Sequence, residues 1–236
     1  MLYIITLCIF LILYVLTVCC MKYMKNIKFF NLFFSAMVFV PYLCLLSATY
    51  KHSGINHWNF QNALPVANVS PFMFSCVPLI LILPERTKKV AHLLISLLSV
   101  GMFLSSTFGC LQNAAANRSF VPFFLWDYLA HFSLSLFGVY LIKSKQVELN
   151  RKDCLLSSLL IIGAASSMLV LNLIFDTSFF GLSLTGKHNI YNQVLVQNSF
   201  ISALLYYIGL IVVLLLGFLY SKHFQKNTTH SAKNSV

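Results

Sequence analysis

Charge is what this 236-residue chain has least of: Asp, Glu, Lys and Arg make up 9% of it, and five residues are acidic. A water-soluble domain carries roughly a quarter of its residues charged. The soluble and disordered classes are therefore excluded, and nine glycines with six prolines exclude a collagen-like chain. Basic runs are equally absent. The net charge of +11 is scattered between apolar stretches, leaving no face that could follow a nucleic-acid backbone. The seven cysteines form no C-x-x-C pair, which removes the thiol-redox and zinc-knuckle readings and leaves small apolar packing residues. Internal repeats and cofactor motifs are lacking, so no cofactor is expected.

What the chain has is apolar length. Hydrophobic residues make up 59% of it, with 22 Phe and 11 Tyr, and the mean hydropathy is +0.83. A helix needs about 20 apolar residues to cross the hydrocarbon of a bilayer. Suitable runs occupy 2–20, 29–49, 65–83, 91–111, 121–142, 154–175 and 196–220. The expectation is an all-α, polytopic membrane bundle of about seven transmembrane helices over 1–223, followed by a disordered cytoplasmic tail over 224–236. Pro65, Pro71, Pro78 and Pro84 predict a short and kinked third span.

Lysine and arginine in short loops stay on the cytoplasmic side. Lys22, Lys25 and Lys28 follow the first run, Arg86, Lys88 and Lys89 the third, Lys143, Lys145, Arg151 and Lys152 the fifth, and Lys222, Lys226 and Lys233 the last. Only Lys51, Arg118 and Lys187 fall in the alternate loops. This asymmetry predicts an outer N-terminus and an inner C-terminus. The first run reads as a retained anchor, because a secretory signal carries its positive charge before the apolar stretch and these lysines come after it. The expected location is a cell membrane, with membrane lipids as partners. The richness in Lys, Asn, Ile and Phe suits an AT-rich bacterial genome and hence a bacterial plasma membrane.

Polar side chains at membrane depth are costly and tend to face the bundle interior or a wet cavity. Asp127 and His131 stand four residues apart, on one face of the fifth span. An Asp beside a His can fix its tautomer and raise its basicity, as a general base requires. The same spacing also serves an interhelical hydrogen bond or ion pair, or two ligands of a metal. With the predicted topology, Asn68 and Ser70 on the third span, Asn172 and Asp176 on the sixth and Asn198 on the seventh fall in the same outer half. Asn172 and Asp176 read first as interhelical hydrogen bonders and second as substrate contacts. Together these residues form a candidate pocket in which Asp127 and His131 are catalytic and Asn68, Ser70, Asn172 and Asn198 bind substrate.

The segments Ala63 to Asn68, Asp127 to His131 with Gly138 to Leu141, Asn172 to Phe180 and Asn192 to Tyr207 resemble stretches of the YwaF-type bacterial integral membrane proteins. Those proteins are related to the eukaryotic transmembrane protein 164 acyltransferases. The resemblance runs from about residue 60 onward. It implies a bundle in which a cysteine after a Leu-Pro entry faces a histidine, a pair that forms an acyl-thioester with a phospholipid chain. His131 matches the histidine. The cysteine has no counterpart: Leu64 and Pro65 are followed by Val66, Ala67, Asn68 and Val69, and the nearest thiol is Cys76. Ser70 is the alternative nucleophile in that segment.

Three functions follow as expectations. One is a lipid-directed, acyltransferase-like membrane enzyme whose site is altered or inactive for want of the family cysteine. The second is a small-solute or proton-coupled transporter using Asp127 and His131 as a relay. The third is a scaffold that keeps the bundle without chemistry.

Overall fold

In the computed structural model, the described residues are 1–51, 69–115, 123–147, 150–175, 182 and 199–233. Apart from short connections they are helical, with no strand among them. The helices are α1 (Leu2–Cys20), α2 (Ile27–Lys51), α3 (Val69–Cys76), α4 (Glu85–Ala115), α5 (Phe123–Lys143), α6 (Arg151–Phe175) and α7 (Ser199–Lys233). All but α3 are long and apolar enough to cross a membrane. The chain is a polytopic helical bundle.

Helix α5 is the axis of the bundle. Of its apolar window 72% is buried, against 11% for α1 and 22% for each of α6 and α7. Side-chain pairs fix the direction of its neighbours. Tyr3 meets Phe124, Phe10 stacks on Phe132, and the Tyr14 hydroxyl lies 3.0 Å from Ser135 Oγ, so α1 runs parallel to α5. Phe34 stacks on Phe137 and Asn31 reaches Gln146, so α2 runs antiparallel to it. Phe103 against Phe132 and Asn113 against Tyr128 make α4 antiparallel as well. Helix α7 packs antiparallel on α4, with Val213 at Gly101 and Gly217 at Leu97.

Two helices that both oppose α5 run the same way, so the chain between α2 and α4 must return from one end of the bundle to the other. Helix α3 and the 3-10 turn that continues it over Val77–Leu81 lie on that return. Phe74 sits between Tyr42 of α2 and His131 of α5. At 1.5 Å per α-helical and 2.0 Å per 3-10 residue, these 13 residues span about 22 Å, short of the ~30 Å hydrocarbon core. Pro71 starts the segment and Pro78 sits where the α-helix tightens to 3-10 geometry, each withholding a backbone donor. The expected third span is thus a short broken helix. Residues 52–68, which would begin it, lie outside the described residues.

These directions bring the basic ends of α1, α5 and α7 and the basic starts of α2, α4 and α6 to one end of the bundle. That end is tied together by polar contacts. Asn31 and Gln146 form a reciprocal amide pair at 2.7 and 3.1 Å, and Gln146 also donates to Ser144 Oγ at 2.7 Å. The chain turns between α5 and α6 through Lys145, whose φ of 59° is left-handed. Two glycines allow the closest approaches. A Cβ on Gly138 would stand 2.7 Å from Ser99 Cβ and 2.9 Å from the Ile95 carbonyl oxygen, and one on Gly217 would overlap the Leu97 backbone. Small residues at such crossings let helices associate in lipid, where no hydrophobic drive exists between them. Helix α7 continues through Lys233, into the segment expected to be a tail.

Candidate functional site

Asp127 and His131 occupy the first three turns of α5, at the end of the bundle opposite the basic cluster. Their four-residue spacing puts them one above the other. His131 is 6% exposed. Its Nδ1 lies 2.9 Å from the Asp127 backbone carbonyl and 3.4 Å from the carboxylate Oδ1. A carbonyl oxygen accepts, so Nδ1 is the protonated nitrogen and Nε2 carries the lone pair. The expected hydrogen bond to the Asp127 side chain is therefore taken by its backbone, while the carboxylate stands just beyond and adds negative charge. Phe74 of α3 packs edge-on to the imidazole with ring centroids 4.8 Å apart, fixing its plane.

The remaining expected residues are placed differently. Ser70 is on α3, one turn from Phe74, but its hydroxyl donates to Met102 Sδ at 3.5 Å. Asn172 is 2% exposed, and its amide donates to the Leu182 carbonyl. Helix α6 packs on α4 and α7. Asn68, Asn198 and Asp176 lie outside the described residues. Cys76, the thiol nearest the Leu-Pro entry, is half-buried on α3 beside Tyr42.

A second cluster adjoins the pair. Tyr128, one residue after Asp127, is buried and its hydroxyl accepts from Asn113 Nδ2 at 3.0 Å. The same amide donates to the Gly109 carbonyl at 2.9 Å, and the buried Cys110 thiol shares the Tyr128 hydroxyl. Ser106 lies one turn along α4 from Cys110. Contacts on either side fix its level. Phe103 meets Phe132 and Gly109 meets Tyr128, so in the antiparallel pair Ser106 stands level with Ala130 and His131. It is 1% exposed, and its hydroxyl has no hydrogen-bond partner among the described residues. From the sequence Cys110 and Ser106 are expected only to pack, and Asn113 carries no expectation. The available signal was the seven-residue connection 116–122, which makes α4 and α5 antiparallel neighbours and sets Ser106, Cys110 and Asn113 opposite the α5 entry.

A polar chain continues from the pair toward the basic end. Ser135, one turn beyond His131, meets the Tyr14 hydroxyl, which in turn pairs with Tyr220 of α7. Among the described residues, no three His, Cys, Asp or Glu side chains gather closely enough to hold a metal ion.

No family model, curated protein or solved structure matches the chain.

Proposed function

We propose that this multipass membrane protein carries a lipid-directed acyl-transfer site in the half of the bundle opposite the basic end, with His131 as general base. The observation that carries this reading is the commitment of His131 Nδ1 to the Asp127 carbonyl, with the carboxylate 3.4 Å away. That arrangement leaves Nε2 as the basic nitrogen and stabilises the imidazolium once formed. The resemblance to the YwaF-type proteins points the same way. The site is altered from that family's, because no thiol follows the Leu-Pro entry. We assign that role to Ser106, a buried hydroxyl of α4 at the level of His131. Its Oγ would attack a phospholipid ester carbonyl, passing its proton through His131 to the departing lysolipid oxygen.

The test is acyl release from a fluorescent phospholipid by protein reconstituted in vesicles. Activity that falls at least a hundredfold in both His131→Ala and Ser106→Ala supports the assignment. Acyl release that is the same in wild type and His131→Ala excludes it.

A second reading rests on the polar chain Asp127, His131, Ser135, Tyr14 and Tyr220, which leads from one half of the bundle toward the other. Such a chain suits proton relay in a coupled transporter. Proton flux in vesicles that is lost in His131→Ala and reduced in Tyr14→Phe, without acyl release, favours this reading over the first.

A further inference from the structure

At the basic end, far from the Asp127–His131 pair, a cavity of about 400 Å3 opens between the start of α4 and the α5–α6 turn. Arg86 and Lys89 line it from α4, Lys145 and Gln146 from the turn, and Asp153 and Ser157 from α6. Among the described residues of its wall, three cations face one carboxylate. Glu85, the nearest acid to Arg86 along the chain, is engaged by Lys88 at 3.1 Å. Arg86, Lys89 and Lys145 have no ion-pair partner among the described residues. The helix start that carries Arg86 adds the partial positive charge of its first-turn N–H groups. The left-handed backbone of Lys145 holds the turn in the shape that brings this lysine to the cavity wall.

The remaining wall is apolar. Leu93 and Val147 are each 5% exposed, whereas Leu156 is 53% exposed on the outer face of α6, where the bundle meets lipid. Three cations beside an apolar wall that continues onto a lipid-facing helix match an amphipathic anion. The cavity also lies where the apolar windows of α4 and α6 give way to charged residues, the depth at which headgroups would meet a spanning bundle.

We propose that this cavity is a binding site for a phosphate ester, with the phosphate held by Arg86, Lys89 and Lys145 and an attached acyl chain laid over Leu156. Guanidinium and ammonium groups together suit a phosphate, the first by paired N–H donors and the second as a point charge. A phospholipid headgroup and a soluble phosphate ester share this chemistry, and the apolar wall distinguishes them.

The experiment uses full-length protein in a neutral detergent and measures calorimetric binding of two probes, dihexanoyl phosphatidylglycerol and inorganic phosphate. The expected result is saturable binding of the lipid that weakens at least tenfold in Arg86→Gln/Lys89→Gln/Lys145→Gln. These three side chains are exposed, and an unchanged thermal transition shows that the variant folds. Asp153→Asn should tighten binding severalfold by removing the opposing charge; loss of binding there would indicate a cation site and overturn the proposal. Weaker binding of inorganic phosphate than of lipid identifies the source as a membrane lipid. Equal binding identifies a soluble phosphate ester. Lipid binding unchanged in the triple variant, or no saturable binding of either probe, overturns the site.

Discussion

Lys143, the last residue of α5, donates through Nζ to the carbonyl oxygen of Val18 at 2.8 Å, 125 residues earlier in the chain. A carbonyl in the last turn of a helix has no partner within that helix, and a cation placed there satisfies it while complementing the helix dipole. The central helix thus caps the first. Lys143→Met should cost about 1.5–3 kcal/mol, the range for a hydrogen bond to a charged group. Lys143→Arg should recover most of it. Thermal unfolding in detergent measures both, and a Met variant as stable as the wild type would remove the cap from the account.

Gly138→Ala should destabilise by about 1–3 kcal/mol, the usual cost of overpacking, because the added methyl meets Ser99 Cβ at 2.7 Å. Adding Ser99→Gly should restore only part of the loss, since the Ile95 carbonyl oxygen remains 2.9 Å away. Gly163→Ala is the control: nothing lies within 4 Å of its added Cβ, so stability should hold or rise.

The Asn31–Gln146 pair should show coupling. Each amide both donates to and accepts from the other, and hydrogen bonds between membrane helices contribute about 0.6–2 kcal/mol. A double-mutant cycle with Asn31→Ala and Gln146→Ala, read by denaturation in mixed micelles, should return an interaction energy in that range. Additive effects of the two substitutions would show that the pair contributes nothing beyond its separate parts.

Single cysteines placed in a cysteine-free background should divide into two groups. Positions 25, 87 and 145 belong to the basic end, and positions 2 and 115 to the other. A membrane-impermeant maleimide applied to intact cells should label 2 and 115 and spare 25, 87 and 145. Labelling of the reverse set would turn the bundle over, and labelling of a mixed set would break the common basic end.

Much of this architecture is written in hydropathy, and the departures have local causes. The fifth run, expected over 121–142, is α5 at Phe123–Lys143. The fourth, expected over 91–111, extends to Glu85–Ala115, because a helix continues through Arg86, Lys88 and Lys89 once its apolar part is anchored. Hydropathy marks where the hydrocarbon ends, whereas helical hydrogen bonding continues into the interface. The Asp127–His131 contact was legible because four residues make one turn of a single helix. Ser106, Cys110 and Asn113 were not, since their facing α5 depends on how two helices pair and rotate. Ser70 shows the same limit: its segment was legible, but not the turn of its hydroxyl toward Met102.

The parallel pairing of α1 with α5 also constrains biogenesis. Tyr3, Phe10, Tyr14 and Val18 find their partners at Phe124, Phe132, Ser135 and Lys143. During synthesis α1 therefore precedes both α4 and α5, on which it packs, and meets α4, through Tyr14 on Phe103, before α5 is complete. The Lys143 cap on Val18 is the last of these ties to become available.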